Sequence, residues 1–128
     1  MAEILIVDDS PTVGSTVQWI LHNQGHSVQV VRDGLAALSA LAGCIPDLIL
    51  LDIRLPHVDG VKLCEMIRNH SRLAHVPIVM LSGLSNEESI QGAYAAGAND
   101  YMVKPINDAV LLGVINEQLG ARSAHLSE

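Results

Sequence analysis

The sequence has no phenylalanine and only one tryptophan and two tyrosines among its 128 residues. Hydrophobic residues nevertheless make up 49% of the chain, so leucine, isoleucine, valine and alanine must build the core. Long apolar runs are also missing, because none approaches the roughly 18 residues of a membrane-spanning helix. We therefore expect an aliphatic core and no insertion into a membrane.

Basic residues and cysteines are scarce as well. Seven lysines and arginines face 14 acidic residues, and the net charge of −7 argues against nucleic acid as a direct partner. Cys44 and Cys64 are too few for a disulfide framework, so we expect reduced, packed thiols. The N-terminus shows no signal-peptide pattern, and together these features predict a cytoplasmic protein.

The length suits one domain, and short β-branched runs alternate with segments of helical spacing. This pattern predicts an α/β fold with a doubly wound, five-stranded parallel sheet and helices on both faces, as in flavodoxin-like proteins. The strand order that makes chemical sense is 2-1-3-4-5. We expect residues 1–120 to form the domain and residues 121–128 to form a flexible tail. The expected strands cover residues 4–7, 28–31, 48–52, 78–81 and 99–103.

Capping residues mark several helix starts. Ser10, Asn86 and Asn107 are the expected N-caps of the first, fourth and last helices. In the last helix, Val110 is expected to face inward together with Leu111 and the apolar positions that follow. Trp19 lies one step off the apolar stripe of the first helix, where it either covers the edge of the core or belongs to a docking face.

Chemically active side chains stand where the buried strands end. Asp8 and Asp9 follow the first strand, Asp52 the third, Ser82 the fourth and Lys104 the fifth. Carboxyl ends of parallel strands share one edge of the sheet, where sites form in open α/β folds. Two like charges about 4 Å apart repel by roughly 4 kcal/mol at an effective dielectric of 20, so we expect the cluster to bind a cation.

These motifs together resemble the response-regulator receiver domain of two-component signalling. The resemblance covers residues 3 to about 119 and is of the single-domain, chemotaxis-regulator-like kind. Each motif is weak alone, but their order and spacing are specific. The motifs are Ile6-Val7-Asp8-Asp9-Ser10, Leu50-Leu51-Asp52-Ile53-Arg54-Leu55-Pro56, Asp59-Gly60, Pro77-Ile78-Val79-Met80-Leu81-Ser82-Gly83, Ala96-Gly97-Ala98-Asn99-Asp100-Tyr101 and Lys104-Pro105.

The resemblance implies a role for each site residue. Asp52 matches the phosphoacceptor, and Lys104 and Ser82 match the groups that contact the phosphoryl oxygens. Tyr101 matches the aromatic switch residue that moves inward with that hydroxyl. The implied Mg²⁺ (or Mn²⁺) ligands are Asp9 directly, Asp8 mostly through water, Asp52, and the backbone carbonyl of Arg54. The family also implies a cis bond before Pro105.

The sequence departs from the common family pattern at a few positions. Ser82 stands where threonine is commoner, and Ile106 follows the Lys104-Pro105 pair where phenylalanine is frequent. Arg54 and Leu84 each lie two residues beyond a site residue and are expected to flank the phosphoryl group.

The implied function is to accept a phosphoryl group from a histidine kinase or a histidine phosphotransfer protein. The change is expected to reach a downstream protein through the fourth helix, fifth strand and fifth helix, without turnover of an external substrate. Three alternatives are an aspartate-nucleophile phosphatase of the haloacid-dehalogenase type, a receiver-fold scaffold that takes no phosphate, and a flavodoxin-like electron carrier. The Asp-x-Asp motif of the phosphatases is absent, since Ser10 stands two residues after Asp8.

Overall fold

The computed structural model describes residues 2–127, with side chains described for residues 2–120. Strands and helices alternate along these residues. The strands are β1 (Glu3–Val7), β2 (Ser27–Val31), β3 (Leu48–Asp52), β4 (Ile78–Ser82) and β5 (Asp100–Val103). The helices are α1 (Pro11–Asn23), α2 (Gly34–Gly43), α3 (Gly60–Arg68), α4 (Glu87–Ala95) and α5 (Asp108–Ser127).

The five strands form one parallel sheet in the order β2-β1-β3-β4-β5, which confirms the predicted fold class. Val7 lies opposite Leu51 in the register of β1 and β3, and Asp52 lies opposite Leu81 in that of β3 and β4. The carboxyl ends of β1, β3 and β4 are therefore level with one another. The residues that follow them meet at one edge of the sheet.

The core consists of two aliphatic layers, one on each face of the sheet. Successive side chains of a strand point to opposite faces, and every residue of β3 and β4 is buried because both faces are covered. Helices α2, α3 and α4 cover one face, through Ala37, Leu41, Leu63, Ile67 and Ala93. Helices α1 and α5 cover the other, through Val17, Ile20, Leu21, Leu111 and Ile115.

Two of the three predicted N-caps form as expected. The Ser10 hydroxyl accepts a hydrogen bond from the Val13 amide at 3.4 Å, and Asn107 Oδ1 accepts one from the Val110 amide at 3.1 Å. Asn86 stands at the N-cap of α4, but its side chain bonds no backbone amide there. It accepts instead from the Ser89 hydroxyl at 2.8 Å, so α4 begins without a side-chain cap.

Several side chains lie elsewhere than the sequence predicts. Val110 is 55% exposed rather than inward-facing. Trp19 is 67% exposed, so it does not cover the edge of the core, and its alternative place on a docking face stays a prediction. Cys64 is packed as expected, whereas Cys44 is exposed. Asn99 lies just before β5 and not within it, and its side chain accepts a hydrogen bond from the Ile78 amide at 2.9 Å.

The helical backbone of α5 runs through the segment for which the sequence predicts a tail. The side chains of residues 121–128 lie outside the described residues, so the division into a domain and a flexible tail stays a prediction. Over the residues that the structure describes, no helix is both long enough and apolar enough to cross a membrane.

Candidate functional site

The end of β1 supplies two carboxylates with different exposure. Asp8 is buried, with 1% of its surface exposed, whereas Asp9 faces solvent. Asp8 Oδ1 accepts a hydrogen bond from the Ser10 amide at 2.8 Å, which fixes its carboxylate at the turn into α1. Oδ2 of Asp8 is left to point at the neighbouring strand ends.

Asp52 and Lys104 meet above the sheet edge. Lys104 Nζ lies 3.0 Å from Asp52 Oδ2 and 2.8 Å from Asp8 Oδ2, so one ammonium bridges both buried carboxylates. The Arg54 amide donates to Asp52 Oδ1 at 3.2 Å. The Lys104–Pro105 bond is cis, as the resemblance implies, and the Lys104 amide donates to the Ser82 carbonyl at 2.8 Å. Lys104 follows β5 directly, and its amide is bonded to the end of β4, so it lies at the same edge of the sheet as Ser82.

Burial and charge act against each other in this cluster. Burial is the main cause that raises the pKa of Asp52; Lys104 and the Arg54 amide oppose it, and the charge of Asp8 adds to it. Burial alone would lower the pKa of Lys104, but its contacts with Asp8 and Asp52 outweigh this and raise it. Lys104 therefore stays charged at neutral pH.

The three carboxylates also satisfy the geometry of a metal site. One oxygen each of Asp8, Asp9 and Asp52 can be chosen so that all lie within 4.8 Å of one another. Asp8 Oδ2 is buried and makes no hydrogen bond of good geometry with the described residues, despite its charge contact with Lys104. A buried anionic oxygen with free lone pairs suits a hard cation, and exposed Asp9 leaves room for water ligands.

Ser82 and Tyr101 are linked through the backbone of one residue, Leu84. Ser82 is 1% exposed, and its Oγ accepts a hydrogen bond from the Leu84 amide at 3.1 Å. The Tyr101 hydroxyl donates to the Leu84 carbonyl at 2.7 Å. The loop after β4 is therefore held on one side by the site serine and on the other by β5.

Five of the predicted site residues line one cleft of about 420 Å³: Asp9, Asp52, Arg54, Ser82 and Lys104. Asp8 is buried and reaches this group through its contact with Lys104, and Tyr101 is connected to it through the Leu84 carbonyl. Arg54 and Leu84 line the cleft beside Asp52, as expected of flanking positions. Sequence reasoning missed the Leu84 backbone as a connector, and no residue pattern could have shown it, since every residue carries an amide and a carbonyl. A second connection lies away from the site, where His26 Nδ1 accepts a hydrogen bond from the Ala2 amide at 3.1 Å.

Comparison with known proteins identifies this arrangement. The sequence model described as "Response regulator receiver domain" matches residues 4–116. The chain belongs to the response regulator receiver domain family. The receiver domain is a part of two-component signalling proteins, and family membership favours this assignment over the phosphatase and electron-carrier alternatives.

Named relatives support the assignment. This chain is 37% identical over 120 residues to the DNA-binding dual master transcriptional regulator RpaA of Synechocystis sp.. The match covers 93% of this chain and 49% of that protein. The chain thus spans about half the length of the first curated relatives it matches.

Solved structures agree with the sequence relatives. A putative response regulator from Chloroflexus aurantiacus has a TM-score of 0.90 and 32% identity, with 93% of this chain and 98% of that chain covered. The receiver domain of a sensor histidine kinase from Pseudomonas aeruginosa has a TM-score of 0.86 and 32% identity at the same coverage. That structure holds a magnesium ion coordinated in its active site cleft.

Proposed function

We propose that the chain accepts a phosphoryl group on Asp52 from a phosphohistidine donor, a histidine kinase or a histidine phosphotransfer protein. The observation that carries the proposal is a buried carboxylate at the base of an open cleft, with Oδ2 3.0 Å from Lys104 Nζ. A carboxylate oxygen of Asp52 attacks phosphorus and forms a P–O bond while the P–N bond to the donor breaks. The electron pair returns to the imidazole nitrogen, which takes a proton.

Lys104 and Ser82 support the transfer from two sides of the cleft. The Lys104 ammonium bridges Asp8 and Asp52, where it can pair with the phosphoryl oxygens as negative charge arrives. Ser82 Oγ accepts from Leu84, so its own proton can be donated to a phosphoryl oxygen. Lys104 is in place before any donor binds, which reduces reorganisation during the reaction, whereas the Ser82 hydroxyl moves toward the phosphoryl group once it is present.

We place the cofactor, Mg²⁺ or Mn²⁺, on Asp8, Asp9, Asp52 and the Arg54 backbone carbonyl. The clustered carboxylate oxygens fit a hard divalent cation that keeps several waters, and among the described residues the buried Asp8 Oδ2 is held only by its ion pair with Lys104. Its contribution when bound is positive charge that neutralises the transferring phosphoryl group. The magnesium in the cleft of the Pseudomonas receiver domain supports this placement.

The signal is proposed to leave through the surface of α4, β5 and α5 toward a downstream protein. A phosphoryl group on Asp52 offers the Ser82 hydroxyl a new anionic acceptor, and a move toward it breaks the Ser82–Leu84 bond of 3.1 Å. The Leu84 peptide then shifts against Tyr101, to which it is bonded at 2.7 Å. This biases two existing states through differential contacts.

The acceptor chemistry is tested by intact mass after incubation with acetyl phosphate and Mg²⁺. One acid-labile phosphoryl group is expected on the wild type and on Asp108→Asn, an exposed control, and none on Asp52→Asn. Full labelling of Asp52→Asn would assign the chemistry to another residue. Sustained hydrolysis of p-nitrophenyl phosphate by the wild type would favour a phosphatase instead.

The switch is tested separately by NMR with and without beryllofluoride. Ser82→Ala is expected to keep Asp52 as an acceptor but to lose most of the shift changes over residues 84–106. Ser85→Ala, an exposed change in the same loop, should behave like the wild type. Equal shifts in Ser82→Ala and wild type would show that the hydroxyl does not couple the site to Tyr101.

A further inference from the structure

The loop between β3 and α3 closes directly behind Asp52. It comprises residues 53–59 and returns to β3 at Gly60, whose amide donates to the Ile53 carbonyl at 2.7 Å. Asp59 caps α3 by accepting from the Lys62 amide at 2.9 Å, so the helix begins at this contact. The base of the loop is thereby fixed to the last residues of β3.

Gly60 has no room for a side chain. A Cβ atom there would overlap the Asp52 carbonyl oxygen and lie 2.8 Å from the Asp52 carbonyl carbon and 2.7 Å from Ile53 Cα. All three neighbours are backbone atoms, so no side-chain rotation can relieve the overlap. Either Asp52 or the start of α3 would have to move.

We infer that Gly60 is a positioning residue for the phosphoacceptor, because it lets α3 seat against the main chain of Asp52. This inference rests on the proposed function of Asp52. The Asp52 carboxylate must stay within reach of Lys104 on one side and of the Arg54 amide on the other. A backbone shift of about 1 Å disturbs both contacts and misplaces the attacking oxygen, and such an error can cost about 100-fold in rate.

Gly34, the first residue of α2, provides a matched control because it packs against Val58 near the middle of the same loop. A Cβ atom at Gly34 would lie 2.6 Å from Val58 Cβ and 3.0 Å from the Val58 carbonyl oxygen. Gly34→Ala therefore strains this loop and destabilises the fold without pressing on Asp52. A difference between Gly60→Ala and Gly34→Ala isolates the positioning effect from lost stability.

The test measures the initial rate of labelling by acetyl phosphate at saturating Mg²⁺ in the wild type and both variants. Gly60→Ala is expected to be about 10- to 100-fold slower than wild type, and Gly34→Ala to stay within about threefold. The Arg54 amide resonance should move in Gly60→Ala and not in Gly34→Ala. Failure of the wild type to label refutes the proposed function itself, whereas a labelled wild type with equal rates in both variants refutes only this inference.

Folding is checked by circular dichroism before the rates are compared. If Gly60→Ala does not fold alone, both variants are remade with His57→Gly, which replaces a residue at φ 71° in the same loop and relieves backbone strain. His57→Gly alone is then the reference. If Gly60→Ala folds in neither background while Gly34→Ala does, Gly60 serves folding rather than placement of Asp52, and the inference is overturned.

Discussion

We expect Asp9→Asn to stabilise the protein in the absence of metal and to destabilise it when Mg²⁺ is added. The carboxylates of Asp8, Asp9 and Asp52 carry −3 and the Lys104 ammonium +1, which leaves −2 when all are ionised. Asp9 is the exposed member, so the change to asparagine removes one charge and keeps the shape without opening a cavity. Without metal, the variant has less repulsion among the clustered carboxylates and is therefore more stable than wild type. With metal, it lacks one carboxylate ligand for the cation and is therefore less stable.

The expected magnitudes follow from the spacing of the oxygens. Charges 4.8 Å apart repel by about 3.5 kcal/mol at an effective dielectric of 20 and by about 0.9 kcal/mol in water. Asp9 is exposed and Lys104 offsets part of the field, so we expect about 1 kcal/mol of stabilisation without metal. A ligand at 100 times its Kd stabilises the native state by about 2.7 kcal/mol, which the wild type gains and the variant largely loses.

Urea unfolding followed by circular dichroism measures both free energies, with a chelator or with saturating Mg²⁺. Trp19 is 67% exposed and is a poor fluorescence reporter. Asp108→Asn, in the first turn of α5, should lose a few tenths of a kcal/mol equally in both conditions. If Asp9→Asn is less stable than wild type without metal, repulsion within the cluster is not the governing term and the reasoning is wrong.

Three further changes test other parts of the structure. Lys104→Met should lower the free energy of unfolding by about 2–4 kcal/mol without metal, because two buried carboxylates lose their cation. The control is Lys62→Met on the exposed face of α3, whose free energy of unfolding should stay within about 0.5 kcal/mol of wild type in the same urea assay. His57→Gly should raise the melting temperature, with a gain of about 0.5–1 kcal/mol, because glycine accepts φ 71° without strain. Burial lowers the pKa of His26, so its contribution to stability is complete above the unfolded pKa near 6.5 and is lost as pH falls through the lowered value. His26→Asn should flatten the fall in melting temperature below pH 6.5, and a slope equal to that of wild type would contradict this.

The fold was predictable because its signals are local and repeated. Each central strand is a short aliphatic run buried on both faces. Ser10 and Asn107 each cap a helix by accepting a hydrogen bond from the amide three residues further along the chain. The inward-facing prediction for Val110 was wrong, since this residue is 55% exposed in the first turn of α5. Asn86 stands at the N-cap of α4 as predicted, but its side chain bonds Ser89 and not a backbone amide, and neither outcome can be read from periodicity.

The site was predictable in its members and less so in its connections. The parallel order brings the ends of β1, β3, β4 and β5 together, so Asp8, Asp52, Ser82 and Lys104 had to be neighbours. The sequence did not show that Lys104 bridges Asp8 as well as Asp52, since that depends on a distance of 2.8 Å between residues that follow β1 and β5, with β3 and β4 between these strands. The close packing of Gly60 against the Asp52 backbone likewise depends on the path of the seven-residue loop before it. The spacing of residues along the sequence does not define that path.

The proposed switch can exert only a modest bias through the contacts seen here. Ser82 and Tyr101 each hold the Leu84 peptide by one hydrogen bond, at 3.1 Å and 2.7 Å. A net hydrogen bond contributes about 1 kcal/mol, and about 1.4 kcal/mol changes an equilibrium tenfold. Exchanging the Ser82–Leu84 bond for one to a charged phosphoryl oxygen, which is worth about 1.5–3 kcal/mol, leaves a net gain of about 0.5–2 kcal/mol and therefore shifts the populations by roughly two- to thirtyfold. For such a shift to change the output surface, the two states must already lie within a few kcal/mol of each other. The uncapped start of α4 and the glycine at position 92 within it, which costs about 1 kcal/mol of helix propensity, are consistent with a helix held that loosely.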